Sequence, residues 1–178
     1  VMAVIMGNTF VAMTAAILAA SAIGFLFYNF HPAKIFMGDT GSLFLGYMIS
    51  VLALLGFKNV AVISLIIPII MLGVPISDTF FAIVRRIRMK QPISAPDKSH
   101  LHHCLLRIGF SHRQTVLIIY CIAILFGIAA ILFSQATVWG GIILLAVIII
   151  AVELFVEVIG LAGTNYKPLI NLVRMIGK

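Results

Sequence analysis

Charge is scarce in this sequence. Only 10% of its 178 residues are Asp, Glu, Lys or Arg, whereas 63% are hydrophobic, and the mean hydropathy is +1.23. A soluble domain of this length cannot bury so large an apolar fraction in one core. The composition therefore excludes a water-soluble globular domain and places the chain among membrane proteins.

Cysteine is nearly absent as well. Cys104 and Cys121 follow no metal-binding or disulfide spacing, and Cys121 lies inside an apolar run. This argues against a redox motif or a disulfide scaffold. We interpret both residues as small buried thiols.

Acidic residues are few, with 5 Asp and Glu against 12 Lys and Arg, which gives a net charge of +7. The basic residues lie between long apolar runs and not on a polar domain surface. We interpret them as signals of membrane topology and expect no nucleic-acid partner.

Five apolar segments can each cross a membrane, which takes about 20 residues in a helix. They are 10–28, 43–57, 60–84, 115–133 and 138–161. All should be helices, because an open sheet leaves unpaired backbone groups in lipid. Thr40 and Ser42 are good helix-start residues and could extend the second span. The predicted fold class is all-α: a polytopic transmembrane bundle of five full spans plus the end of a sixth.

The connections between these spans alternate between short and long. All Lys and Arg residues except Lys58 lie in the long ones, at 29–42, 85–114 and 163–178. The positive-inside rule makes these two loops and the tail cytoplasmic.

The third span contains Pro68, Gly73 and Pro75, which should kink or fragment it, and such breaks often line a cavity. We expect residues 1–178 to form a single membrane domain. Because the apolar stretch 1–6 is too short to span, we expect the chain to be the C-terminal part of a larger protein.

The loop 29–42 gathers a carboxylate, glycines and hydroxyls where the next helix begins: Gly38, Asp39, Thr40, Gly41 and Ser42. Glycines let the backbone approach a ligand, and free N–H groups at a helix start favour a phosphate. Mg²⁺ typically uses one or two carboxylates together with substrate phosphates, so Asp39 could hold it. The alternative is that these polar residues only cap the helix.

The loop 85–114 carries His100, His102, His103 and Arg107. On a regular helix His100, His103 and Arg107 would share one polar face, and His102 would fall apart from the other histidines. Such a face could contact a diphosphate or a sugar, or it could belong to an interfacial helix with solvated polar residues. Zinc is disfavoured, since these ligands are too local to close a tetrahedron easily.

Three acidic residues lie near the inner ends of spans. Asp78 could face the site or could be a solvated helix end, and both interpretations stay open. Glu153 and Glu157 are one helical turn apart, and we interpret them as interfacial or packing residues.

Several motifs together resemble those of one family. They are Asn29 with Pro32 and Ala33, the run 36–42, the run 75–78, and Pro96, Asp97 and Lys98 with the histidines at 100, 102 and 103. On these motifs, which span most of the chain, it resembles the polyprenyl-phosphate N-acetylhexosamine-1-phosphate transferases. The histidine spacing, with Leu101 between His100 and His102, resembles the N-acetylglucosamine branch more than the muramoyl-pentapeptide branch.

This resemblance implies a reaction at the cytoplasmic face of the bacterial plasma membrane. N-acetylglucosamine 1-phosphate would pass from a UDP-sugar to undecaprenyl phosphate, with release of UMP. Mg²⁺ would be the cofactor, and Mn²⁺ could replace it. The product would serve cell-wall polymer synthesis, with teichoic acid as our expectation.

The resemblance also implies roles for site residues. Asp39 matches a metal-binding residue that we also expect to be catalytic, together with His102 and His103. The expected substrate-binding residues are Asn29, Phe36, Gly38, Ser42, His100 and Arg107, with Phe36 matching an aromatic that stacks on uracil.

The family also uses a pair of adjacent aspartates and a motif containing Asn and Asp, neither of which occurs in residues 1–178. We therefore expect this chain alone to be inactive. Two alternatives remain: the muramoyl-pentapeptide branch, and a transporter for an anionic solute. A homodimer is also left open.

Overall fold

The structure is a computed structural model, and it describes residues 2–5, 7–56, 61–93, 99–163 and 166–176. Within these ranges the regular structure is helical throughout, which confirms the predicted all-α class. The helices are α1 (Met2–Ile5), α2 (Thr9–Asn29), α3 (Gly38–Gly56), α4 (Ala61–Met71), α5 (Gly73–Arg88), α6 (Leu101–Ile108), α7 (His112–Gln135), α8 (Val138–Ile159) and α9 (Pro168–Ile176).

Four of these helices are long and apolar enough to cross a membrane, namely α2, α3, α7 and α8. Helices α4 and α5 form a bent pair, which makes a fifth span if the pair crosses as one. Four of the predicted spans coincide with the four long helices. The chain is thus a multi-pass helical membrane protein.

The span predicted to be kinked is divided at Leu72, between α4 and α5. Pro75 is the third residue of α5, where a helix has no partner for its N–H group, so the proline costs nothing there. The first bond beyond it runs from Ile76 N to Leu72 O, 3.0 Å. Pro68 lies inside α4. A single span kinked at the two prolines remains a prediction.

The chain separates into two compact units, residues 1–69 and 70–178, and each is described by itself. In the first unit, the Asn8 side chain accepts a bond from Val11 N (3.2 Å) and donates one to Leu55 O (3.3 Å). One asparagine therefore caps the start of α2 and ties it to the end of α3.

The second unit has its core where α5, α6 and α8 meet. Its buried residues are Phe81, Leu101, Cys104, Leu105, Val156, Leu161 and Ala162. The prediction of a buried thiol is confirmed for Cys104 and is wrong for Cys121, which is exposed on the surface of α7. An apolar run in a membrane protein does not imply burial, because such a helix can present its side chains to lipid.

Two buried polar side chains form hydrogen bonds with backbone groups at helix ends in this unit. Glu157, only 1% exposed, accepts bonds from Leu169 N (2.5 Å) and Ile170 N (2.9 Å) in the first turn of α9. Arg85 donates from Nη1 to the carbonyl oxygen of Leu161, just beyond α8. These bonds satisfy backbone groups that helix ends otherwise leave without partners. The interpretation of Glu157 as a packing residue is thus confirmed.

Candidate active site

One set of candidate residues lies in the segment that joins α2 to α3, in the first unit. Asn29 donates from Nδ2 to Ile35 O at 3.1 Å, and the backbone N of Lys34 donates to Tyr28 O at 2.8 Å. These bonds fold the segment back onto the end of α2. Asn29, expected from the sequence to bind substrate, therefore also holds the loop in shape.

Asp39 is the second residue of α3, and its side chain is exposed. Gly38, which begins the helix, has φ of +65°, in the left-handed region that favours glycine. Within the described parts of the chain, no residue forms a hydrogen bond with the Asp39 carboxylate. The carboxylate is therefore available to a ligand rather than used as a helix cap.

The neighbours of Asp39 have different surroundings. The Ser42 hydroxyl donates to the backbone carbonyl of Asp39 at 3.0 Å, which leaves its oxygen lone pairs for a further partner. The ring of Phe36 is 82% exposed, so both its faces can receive a flat ligand. Asp39 also lies where the positive end of the helix dipole favours anions such as phosphates.

A separate set of candidate residues lies at the start of α6, in the second unit. His100, the N-cap residue, places its Nδ1 atom 3.1 Å from Oδ2 of Asp78 in α5. The other carboxylate oxygen, Oδ1, accepts a bond from Leu101 N at 2.8 Å. Asp78 is thus bonded to the start of α6, and its role in the site stays a prediction. The sequence offers no local signal for this pairing, because 22 residues separate Asp78 from His100.

The three histidines form one cluster. The ring centroids of His102 and His103 lie 3.9 Å apart, and that of His100 lies 6.5 Å from that of His102 with nearly parallel planes. The expectation that His102 stands apart from the other two is wrong. His100 has extended backbone (ψ 161°), so the angle of 100° per residue does not apply to it. Side-chain rotation then brings the rings of His102 and His103 together.

This environment acts on the protonation of His102. Partial burial, and then the nearby His103, lower the pKa of His102 below its ordinary value of 6.5, while the Asp78 carboxylate opposes this shift. A ring with a lowered pKa is neutral at neutral pH. It then offers one donor and one acceptor to a ligand.

Arg107 lies one turn further along α6. Its Nη2 atom donates to the Cys104 sulfur at 3.5 Å, and that sulfur in turn contacts Ser99 O at 3.3 Å. The side chain of Arg107 is exposed overall, and a guanidinium has five N–H donors, so most of them remain for an anion. His102, His103 and Arg107 are thus exposed on a helix whose Leu101 and Leu105 are buried in the core.

An apolar cavity of about 360 Å³ lies between α5, α7 and α8 in the second unit. Its lining includes Ser77 and Leu101, which are next in sequence to Asp78 and His100. The other lining residues are apolar: Val74, Ile122, Leu125, Phe126, Ala129, Leu144, Val147, Ile148, Ala151, Val152 and Phe155.

Across the described ranges, no group of three or more His, Cys, Asp and Glu residues could hold a metal ion on its own. Asp39 is the one exposed carboxylate of the first unit's described part. The motif residues Pro96, Asp97 and Lys98 lie outside the described residues.

Comparison with known proteins agrees with these features. Residues 1–57 match the model of glycosyl transferase family 4, and the chain belongs to this family. Over its whole length it is 53% identical to a probable undecaprenyl-phosphate N-acetylglucosaminyl 1-phosphate transferase of Bacillus subtilis (strain 168), of which it covers 50%. No solved structure matches it.

Two further relatives show the range of the family. The chain is 40% identical to a decaprenyl-phosphate N-acetylglucosaminephosphotransferase of Mycobacterium leprae, a match covering 78% of this chain and 38% of that protein. It is 32% identical to a phospho-N-acetylmuramoyl-pentapeptide-transferase of Desulforamulus reducens, covering 76% and 39%. The chain thus spans about half the length, or less, of these curated relatives.

Proposed function

We propose that this chain supplies the histidine-bearing part of an enzyme that transfers N-acetylglucosamine 1-phosphate from UDP-N-acetylglucosamine to undecaprenyl phosphate, releasing UMP. The observation that carries the proposal is the histidine cluster at the start of α6, where Leu101 also lines an apolar cavity between membrane-spanning helices. Such a site can hold a polar sugar nucleotide and a lipid at once. The names of the relatives support this choice of substrates.

The chemistry of the reaction requires cations and hydrogen-bond donors. A phosphate attacks a diphosphate, so several negative charges approach one another, and fixed donors stabilise the transition state. When bound, Mg²⁺ would neutralise part of this charge. We propose that Asp39 holds it, with Mn²⁺ as a substitute.

The side chains around these phosphates have distinct proposed roles. Arg107 binds phosphate as a permanent cation, and Phe36 stacks on the uracil. His102 and His103 bind the diphosphate or the sugar, and neutral His102 can accept a proton or donate a hydrogen bond there. Gly38, Ser42 and Asn29 shape the pocket around Asp39.

The acceptor carries a long apolar chain that lies in the lipid. Its reacting phosphate must therefore lie at the membrane surface. We propose that the cavity between α5, α7 and α8 receives the part of this chain nearest the phosphate. Its apolar walls match a prenyl chain in chemistry, and its lining includes Ser77 and Leu101, the sequence neighbours of Asp78 and His100.

The distribution of Lys and Arg supports a cytoplasmic site, because UDP-sugars are cytoplasmic donors and basic loops stay inside. We further propose that the product enters cell-wall polymer synthesis, with teichoic acid as the specific polymer. A homodimer remains compatible with this proposal. The groups of the family that residues 1–178 lack would come from the rest of the enzyme.

The test is the variant Asp39→Asn in the intact enzyme, assayed for Mg²⁺-dependent UMP release from UDP-N-acetylglucosamine. Loss of the carboxylate should abolish release while membrane insertion stays normal. Ser50→Ala, in the same helix, is the matched control and should retain activity. Normal release by Asp39→Asn would refute the metal-binding role.

Two other functions are separated by simple assays. A panel of UDP-sugars offered to the intact enzyme distinguishes the muramoyl-pentapeptide branch, which would prefer a UDP-muramoyl-pentapeptide donor. Movement of an anionic solute across sealed vesicles, without consumption of any UDP-sugar, would indicate a transporter instead.

A further inference from the structure

The side chain of Asp78 connects two elements that are far apart along the chain. It projects from α5, and its two oxygens contact consecutive residues at the start of α6: Oδ1 contacts Leu101 N at 2.8 Å, and Oδ2 contacts His100 Nδ1 at 3.1 Å. Both side chains of the pair are partly buried, with exposures of 23% for Asp78 and 34% for His100. Each carboxylate oxygen thus has a partner, and part of the His100 ring is open to a ligand.

These contacts determine where the proton of His100 lies. A carboxylate has only acceptors, and the backbone N–H of Leu101 can only donate. The atom of His100 that faces Oδ2 must therefore carry a proton. In the neutral ring this places the proton on Nδ1 and leaves a lone pair on Nε2, since a neutral imidazole has one donor and one acceptor nitrogen.

We propose that Asp78 is the positioning residue of the histidine cluster: it anchors the start of α6 through Leu101 and fixes neutral His100 with its proton on Nδ1, so that Nε2 accepts a hydrogen bond or a proton from the substrate. The tautomer assignment rests on the geometry alone. The role toward substrate rests on the proposed function.

An aspartate suits this arrangement better than an asparagine. An Asn side chain has one carbonyl oxygen and one NH₂ group. Its oxygen would accept from Leu101 N–H, which has no other choice, and its NH₂ group would then face His100 Nδ1. That nitrogen would have to become an acceptor, so the proton would move to Nε2. The substitution Asp78→Asn should therefore reverse the tautomer of His100 while preserving the shape of the site.

The first experiment measures the tautomer directly. The intact protein, labelled with ¹⁵N in its histidines and held in lipid nanodiscs, is studied by NMR at a pH where the rings are neutral, and His100→Gln identifies the His100 signals. In the unsubstituted protein Nδ1 should be protonated and Nε2 should not. Protonation on Nε2 would overturn the proposal without any variant having to fold.

The second measurement uses variants. Asp78→Asn should exchange the two nitrogen signals of His100, whereas Ser77→Ala, a neighbouring substitution whose hydroxyl only bonds Val74 O at 3.0 Å, should leave them unchanged. If Asp78→Asn leaves the His100 tautomer unchanged, Asp78 does not fix it. A purely structural role would broaden or shift many signals but would not exchange these two.

The kinetic consequence separates this inference from the proposed function. In the intact enzyme Asp78→Asn should lower kcat by about 10²-fold, with a smaller effect on the KM of either substrate, because a misplaced group costs rate more than binding. A reversed tautomer with unchanged kcat would retain the positioning assignment and overturn the substrate-facing role of His100. Loss of transfer with an unchanged tautomer would overturn the positioning assignment and retain the substrate-facing role of His100.

Discussion

The backbone N–H of Leu101 donates a 2.8 Å hydrogen bond to the carboxylate of Asp78. The first N–H groups of a helix have no partner inside that helix, so this bond stabilises the start of α6. Because the helix carries His102 and His103, the position of these rings depends on a residue in α5. Asp78 also lies close enough to influence the protonation of His102.

We expect the pKa of His102 to respond in opposite directions to two neighbours. Burial is the largest cause of its lowered pKa, and the charge of His103 is the next. His103→Gln should therefore raise the pKa of His102 towards 6.5, and Asp78→Asn should lower it further, because it removes a favourable negative charge. An NMR titration of the His102 ring measures both shifts. Shifts of the same sign in the two variants would contradict this electrostatic account.

Gly73 allows the start of α5 to pack against α7. A Cβ atom at this position would collide with the ring of Phe126. Gly73→Ala should lower the free energy of unfolding by about 1–3 kcal/mol, as measured by denaturation of the purified protein in detergent. The double variant Gly73→Ala with Phe126→Ala should lose less free energy of unfolding than the sum of the losses in the two single variants. Gly127→Ala, which meets no atom within 4 Å, is the control and should be nearly neutral.

Filling the cavity should weaken lipid binding selectively. Ala129 lines the cavity on α7, whereas Ala123 on the same helix is exposed and lies outside the lining. Ala129→Phe should raise the KM for undecaprenyl phosphate about tenfold or more, since a displaced apolar contact costs on the order of 1–3 kcal/mol. The KM for the UDP-sugar should not change. Equal effects of Ala129→Phe and Ala123→Phe would rule out the cavity as the lipid site.

Glu157→Gln should loosen the start of α9. The carboxylate accepts two backbone N–H bonds, and a glutamine has only one carbonyl oxygen, so either Leu169 or Ile170 loses its partner. An unsatisfied buried N–H costs about 1–3 kcal/mol. Hydrogen exchange should become faster at these two amides. Glu153→Gln, one turn earlier in α8, leaves both bonds in place and should not accelerate them.

Much of the fold follows from the sequence. Four spans were predicted within a few residues of their observed ends, except that α3 begins at Gly38 instead of Leu43. The hydroxyl residues 40 and 42, read as helix-start signals, lie within its first turns. The third span was predicted to kink or fragment at Pro68, Gly73 and Pro75, and the helices divide at Leu72, next to Gly73. Pro75 lies in a first turn that tolerates it.

The sequence identified the candidate site residues, but it predicted the arrangement of their side chains less well. Motifs drew attention to Asp39 and to the three histidines, because carboxylates and imidazoles at helix starts have few other uses in an apolar chain. The grouping of the histidines was wrong, since a helical projection assumes regular backbone and ignores side-chain rotation. The exposure of Cys121 was also missed, since lipid accepts apolar surface that water would not.

By itself the sequence determined that this is a helical membrane protein, where its spans lie and which polar residues stand out against them. These properties depend on local composition, because lipid requires each crossing segment to be apolar and to satisfy its own backbone. Only the tertiary structure decided that Asp78 meets His100 across 22 residues of chain and that their neighbours Ser77 and Leu101 line an apolar cavity. Such contacts depend on how helices pack, which composition does not specify.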